Sequence, residues 1–389
     1  MSTRLHLNAM RPRDPDEAGR TASTLELFFD LVFVVAVSIA AVQFHHALTE
    51  NHIVDGLISY AFVFFAIWWA WMNFTWFATS FETDDWLYRV LTFLQMAGVL
   101  VLASGIGSAF VDHEFGLVVV GYVIMRVAMV AQWLRASVSA GDRRRTTQLY
   151  AAGIAVLQIL WLLWLLVPSG AASTVAFVVL AGAELAVPVI AERQGTTPWN
   201  PHHITERYGL FTLILLGESL LASSNAIIEA LDNDQALAPL ISIAILTFIA
   251  TAALWWIYFW PPHHRAIGSL TDSLRYGYVH YFVFAAAGAF SAGIEVEIDA
   301  LTDHSVLTET QSSFTVTIPI AVFILGIWWI ALRANADRVV NTVVPVGAVL
   351  VLFDPLIPVP FALTAVFLIA IVVVLVLRPP LSEEATHAR

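Results

Sequence analysis

The sequence predicts an all-α fold: a polytopic integral membrane helix bundle of about twelve transmembrane helices, with both termini cytoplasmic. Three observations carry this prediction. Hydrophobic residues fill 59% of the 389 positions and charged residues only 12%, with a mean hydropathy of +0.78; soluble domains average roughly 45–50% and about 25%. The apolar residues gather into segments of about 20, enough to cross about 30 Å of hydrocarbon at about 1.5 Å per residue. Arginine is confined to alternate connections between those segments.

The first segment, 24–47, opens on Ser23-Thr24-Leu25-Glu26, a capping box. The second, 53–79, carries Trp68-Trp69-Ala70-Trp71 and Asn73. Asp84 or Asp85 can cap the third, 86–110, and Asp85 with Arg89 has the i,i+4 spacing of a helix-surface pair. The fourth, fifth and sixth run 115–137, 147–167 and 171–191. The seventh to tenth run 204–228, 237–261, 274–294 and 313–334. The eleventh, 339–353, is short, contains Pro345 and leads into Pro355, Pro358 and Pro360 before the twelfth, 358–377. A half-helix or re-entrant hairpin fits this stretch as well as two full spans.

With the N-terminus inside, the cytoplasmic connections carry Arg4, Arg11, Arg13 and Arg20, then Arg89, Arg135 and Arg143 to Arg145, then Arg193, Arg207, Arg265, Arg275, Arg333, Arg338, Arg378 and Arg389. The outer connections carry acids, among them Asp112, Glu114, Glu229, Asp232, Asp234, Glu295, Glu297, Asp299, Asp303 and Asp354, and no arginine. Arg126 alone belongs to neither side, because it falls deep inside the fourth segment. This is the positive-inside pattern. Residues 1–22 and 378–389 are short cytoplasmic tails, and 1–20 lack the apolar core of a signal peptide. The spans divide into halves, 23–192 and 193–377, whose matched features suggest a parallel six-plus-six repeat. Spans two and eight hold tryptophan clusters, spans three and nine open on Arg89 and Arg275, and spans four and ten end in Trp133-Leu-Arg-Ala136 and Ala331-Leu-Arg-Ala334.

Composition also excludes chemistry. There is no cysteine, so thiolate nucleophiles, disulfides and Cys-based metal sites are out. All 18 basic residues are arginine, which removes lysine Schiff bases and P-loop lysines. A net charge of −12 argues against nucleic-acid partners. The histidine pairs at 45–46, 202–203 and 263–264 lack a metal-binding motif, so neither metal nor cofactor is implied; the bilayer is the one partner that composition demands.

Function therefore rests on charged groups placed where a charge costs about 2.5–3.5 kcal/mol on insertion scales. Glu26 and Asp30 share a helix face; capping explains Glu26, but not Asp30 one turn deeper among Phe28, Phe29 and Phe33. Glu218 lies near the middle of the seventh span beside Gly217, whose lack of a side chain suits close helix approach. Arg126 is its natural partner. Arg207 lies about 16 Å back along the same face, next to Glu206. His280 and Glu184 are further buried titratable groups; Glu184, preceding Pro188, is placed to snorkel toward the inner interface. The tryptophans read as interfacial anchors, whereas Asn73 sits too deep for that.

Several of these blocks carry a resemblance. Leu25-Glu-Leu-Phe-Phe-Asp-Leu-Val-Phe-Val-Val35 resembles the opening signature of the bacterial low temperature requirement A (LtrA) proteins. Trp71-Met-Asn-Phe-Thr-Trp-Phe-Ala-Thr79, Thr83-Asp-Asp85 with Arg89, His203-Ile-Thr-Glu-Arg-Tyr-Gly-Leu-Phe211 and Leu216-Gly-Glu-Ser-Leu220 are similar to its other signatures. These blocks cover the first two-thirds of the chain. The resemblance implies a multi-pass bacterial inner-membrane protein named for growth in the cold, with no reaction or substrate attached. A fainter likeness, to potassium channels with a Phe-Ser-Asp signature, lacks the serine at Phe29-Asp30. The residues support passage of a small solute or cation along Glu26, Asp30, Asn73, Arg126, Glu206, Arg207, Glu218 and His280, with Asp84, Asp85, Arg89 and Gly217 in structural or gating roles. The alternatives are a membrane enzyme using the same groups on a lipid, and a sensor or assembly factor in which they are locked in ion pairs.

Overall fold

The structure, a computed structural model, describes residues 7–232, 237–302, 304–357 and 361–381. Arg4, Asp234, Asp303, Pro358, Pro360 and Arg389 lie outside the described residues, as do the side chains of Glu229 and Asp232. Among the described residues every regular element is a helix. They are α1 (Thr24–Thr49), α2 (Ile53–Phe81), α3 (Trp86–Ser104), α4 (Ile106–Val111), α5 (Gly116–Ser139), α6 (Arg144–Trp164), α7 (Ala171–Glu192), α8 (Pro201–Asp232), α9 (Leu237–Phe259), α10 (Leu270–Leu301), α11 (Glu309–Ile327), α12 (Arg333–Asn335), α13 (Arg338–Phe353) and α14 (Ala362–Leu377). Each predicted span coincides with one or two of them. Among the described residues ten helical stretches are long and apolar enough to cross a membrane. Helix α14, at 16 residues, spans about 24 Å.

The chain divides into two compact units, residues 1–40 with 61–207 and residues 41–60 with 208–389. The tip of the α1–α2 hairpin thus belongs with the C-terminal helices, and the first turns of α8 belong with the N-terminal ones.

In the first unit, polar side chains set the helix starts. Glu26 Oε2 accepts from the Ser23 backbone N–H at 2.8 Å while Ser23 Oγ accepts from Glu26 N–H at 3.3 Å, the reciprocal box read from the sequence. Asn200 Oδ1 accepts from His203 N–H at 3.0 Å and starts α8. Asp85 caps α3 through Tyr88 N–H at 3.0 Å. Asp85 also takes Arg135 at 2.9 Å, so the predicted Asp85–Arg89 pair does not form; Arg89 turns to Asp84 at 2.8 Å on the exposed face. The predicted third span is broken at Gly105 into α3 and α4. Beside it α3 and α5 meet backbone to backbone: a Cβ on Gly121 would lie 2.3 Å from Leu102 N and 2.5 Å from Gly98 O.

In the second unit α10 and α11 make the same kind of contact at Gly293, where a Cβ would stand 2.3 Å from the Thr315 carbonyl oxygen. The helix ends nearest the basic connections gather there: Trp260 Nε1 donates to the Leu375 carbonyl at 2.9 Å, Arg265 to Leu381 O at 2.8 Å, and Arg378 pairs with Asp337 at 3.2 Å. Helices α13 and α14 therefore form a hairpin that returns to its starting level. At its turn Asp354, read above as an outer-loop marker, is fully buried and accepts from Thr364 N–H at 2.8 Å, holding the first turn of α14.

Because Gly121 touches backbone, Gly121→Leu must separate α3 from α5. It should cost at least the roughly 1–3 kcal/mol of an overpacked core, read as a lowered unfolding midpoint in detergent micelles. Gly107→Ala, with nothing within 4 Å of the added carbon, should leave that midpoint unchanged.

Candidate functional site

Two clusters of buried charge occupy the first unit. The first joins the start of α1 to the start of α8. Arg207 is wholly buried, and its guanidinium lies against both acids of α1. Nη1 donates to Glu26 Oε1 at 3.3 Å, Nε donates to Asp30 Oδ2 at 3.4 Å, and Nη2 donates to Asp30 Oδ1. Trp71 Nε1 adds a bond to Asp30 Oδ1 at 2.7 Å. Glu26 Oε2 meets His203 Nε2 at 3.2 Å, leaving His203 Nδ1 buried without a hydrogen-bond partner. The guanidinium carbon also lies 5.5–5.9 Å from the ring centroids of Phe29, Trp71 and Phe74, within cation–π range. Glu26, Asp30, His203 and Arg207 are each 0% exposed.

The spacing explains the convergence. Glu26 and Asp30 are one turn apart on α1, as His203 and Arg207 are on α8, so two i,i+4 pairs face each other. Sequence reasoning found three of these four residues and set His203 aside with the histidine pairs that lack a metal-binding motif. His203 at i−4 from Arg207 was the signal available.

The second cluster lies deep between α2, α5, α6 and α7. Glu184, also 0% exposed, accepts from five donors: Trp69 Nε1 (2.9 Å), Tyr122 OH (2.9 Å), Arg126 Nη2 (3.0 Å), Gln158 Nε2 (3.2 Å) and Trp161 Nε1 (3.3 Å). Two expectations are corrected here. Glu184 does not snorkel, because its hydrogen bonds are met inside the protein, and the carboxylate against Arg126 is Glu184's rather than that of Glu218. The tryptophans of α2 are also not anchors: Trp68, Trp69 and Trp71 are buried, and two of them donate to the buried acids. Trp255 and Trp256 of α9, by contrast, are exposed at 43% and 40%.

The remaining predicted residues stand apart from these clusters. Asn73 is turned back onto its own helix, donating to the Trp69 carbonyl at 2.7 Å. Glu206, half-buried, accepts from Ala22 N–H at 3.2 Å, just before α1. Glu218 is half-buried and Gly217 exposed, with nothing within 4 Å of where a Cβ would sit, so Gly217 does not serve a close helix contact among the described residues. His280, in the second unit, is fully buried in a neutral network. Its Nδ1 meets the Tyr276 carbonyl at 2.8 Å and its Nε2 the Tyr258 hydroxyl at 3.2 Å, with Tyr208 edge-on at 4.6 Å. His263, in the connection between α9 and α10, bonds the Tyr258 carbonyl at 2.6 Å and Tyr276 OH at 3.1 Å. Burial holds its imidazole down at about 4.

With this geometry in hand, the comparisons with known proteins can be placed. Residues 21–377 match the family profile of the bacterial low temperature requirement A protein (LtrA), so the match continues through the C-terminal third, beyond the blocks that carried the resemblance. An uncharacterized protein of Rhizobium meliloti (strain 1021) is 26% identical over 295 residues, 69% of this chain. The chain spans 65% of that relative's length.

Two stability measurements follow. Arg126→Met strands Glu184 in the interior and should cost about 3–5 kcal/mol in detergent-micelle unfolding; the double variant Arg126→Met/Glu184→Gln should recover part of that loss. His263 has a folded value of about 4 against 6.5 ordinarily, so the unfolded chain binds the extra proton. Its contribution is lost as pH falls from about 6.5 toward about 4, and His263→Gln should flatten that slope.

Proposed function

Because the chain belongs to the bacterial low temperature requirement A (LtrA) family and its apolar helices are built for a bilayer, we propose that it moves a small solute or cation across the inner membrane, with Glu26, Asp30, Arg207 and His203 as a proton-exchanging centre. The observation that carries this reading is a charge imbalance. Two carboxylates share one guanidinium at 0% exposure. With a neutral imidazole the group holds one negative charge in excess, and a low-dielectric interior penalises that strongly. Counting outward does not change the result. Arg13 and Arg20, which pair with Glu82, are offset by Glu17 and Glu82. One proton, on a carboxylate or on His203 Nδ1, or one monovalent cation, neutralises the centre. Loading and release of that charge is what couples a gradient to movement.

In this reading both termini and the Arg207 end face the cytoplasm, the helices make about twelve spans, and the two halves descend from a parallel repeat. Glu218, eleven residues on, extends the polar face of α8 beyond Arg207, and Glu206 stands at its entry. Arg126, balanced by Glu184, holds the bundle together and does not exchange charge. One observation favours a second reading, a sensor or assembly role: all four groups of the centre are closed off from solvent and bonded to one another.

The two readings separate in an infrared titration of the purified protein. Exchange predicts a protonated-carboxyl band that appears as pH falls and is lost in Glu26→Gln or Asp30→Asn. It also predicts that proton flux into dye-loaded proteoliposomes under an imposed potential slows at least about tenfold in Asp30→Asn, as expected when a general proton carrier is removed, with Arg89→Gln unaffected. No such band, and flux no faster than in empty vesicles, would leave the locked-pair reading standing.

A further inference from the structure

The second unit contains a cavity of about 210 Å³ between α9 and α10, with Ile243, Leu246, Ile294 and Phe361 among its walls. At about 30 Å³ per molecule of liquid water this is room for roughly seven waters, the size of a small organic ligand. Its polar lining is unusual in sign. Glu297 of α10 is 9% exposed, and its Oε1 accepts no hydrogen bond. The one hydroxyl that acts on the Glu297 carboxyl is that of Ser313 on α11, although no hydrogen bond of ordinary geometry joins the two. Ser242 of α9 also lines the cavity, and its hydroxyl already donates to the Ala238 carbonyl at 2.9 Å, leaving its lone pairs free. Pro239, beside it, has no N–H to offer. The charged groups acting on Glu297 are Asp354 and Glu309, both acids.

Among its described lining residues the cavity thus offers one acidic group and acceptor oxygens but no unengaged donor, on walls that are otherwise apolar. An anion would find nothing to donate to it, and an uncharged hydrocarbon would leave a buried carboxylate oxygen unsatisfied. A bare metal ion needs about six oxygens, far more than this lining supplies. We propose that the Glu297 cavity binds a small amphiphilic ammonium ion, whose N–H groups bond Glu297 Oε1 and Ser242 Oγ while its alkyl part lies against Ile243, Leu246 and Ile294. Such an ammonium group can belong to a free amine or to the headgroup of an aminophospholipid.

The test is calorimetric titration of hexylammonium, with hexan-1-ol as the neutral counterpart, into the full chain in phosphatidylcholine nanodiscs. Wild type should show saturable one-site binding at least about tenfold tighter for hexylammonium than for hexan-1-ol, the discrimination expected of a charge-assisted bond. Glu297→Gln, nearly isosteric, should weaken hexylammonium binding by at least about tenfold. Ile294→Trp should abolish it by filling the cavity, with unfolding midpoints confirming that both variants fold. Asp30→Asn should bind as wild type does, so failure of the exchange centre and failure of this site are distinguishable. Nanodiscs containing phosphatidylethanolamine identify the source: competition there assigns the site to the lipid headgroup, and undiminished binding assigns it to a free amine. Absence of saturable binding, equal affinity for hexan-1-ol, or an unchanged Glu297→Gln affinity would overturn the proposal.

Discussion

The indoles of α2 hold the charged interior of the first unit in place. Trp69 and Trp71, two residues apart, point to opposite faces of the helix. One donates to Glu184 and the other to Asp30. A carboxylate removed from water without donors would be several kcal/mol out of balance. Each acid therefore fixes its own helix against α2: Glu184 brings in α7, and Asp30 brings in α1. Arg126 and Arg207 complete the neutralisation from α5 and α8. Geometry alone would not require tryptophan here. A donor that is also large and apolar is required, because the same side chain must fill the core and bond the charge.

The two clusters use similar parts to different ends, and charge counting separates them. Glu184 has one guanidinium and four neutral donors, so it is electrically complete. Glu26 and Asp30 divide one guanidinium between them, with an imidazole whose Nδ1 is unbonded. In the proposed reading that group gains and loses one neutralising charge, the two-state element that coupling requires. The acid count, rather than depth in the membrane, distinguishes the proposed exchanging centre from the Arg126–Glu184 pair.

The sequence made the helices legible because hydrocarbon thickness and backbone satisfaction leave few choices. Capping at Ser23 and Asp85 was equally readable, since cap chemistry is local. Partnership was not. Arg126 was assigned to Glu218 because both sit mid-span, but depth says nothing about which faces meet; the donors around Glu184 come from three other helices, α2, α5 and α6. The α2 tryptophans were misread for the same reason, since an indole at a bilayer interface and one bonding a buried acid look identical in one dimension. Asp30 stood out because it lies a turn too deep for capping to explain, and the structure sets it against Arg207.

The units also differ in how they keep polar groups dry. Among the described residues the fully buried arginine–carboxylate pairs lie in the first unit. In the second, His280, His263, Tyr258 and Tyr276 form a network of neutral donors and acceptors around an aromatic core. A neutral network costs less to bury, but it stores no charge and cannot be loaded by a gradient. Glu297 of the second unit, buried on α10, has no cation to neutralise it from within that network among the described residues.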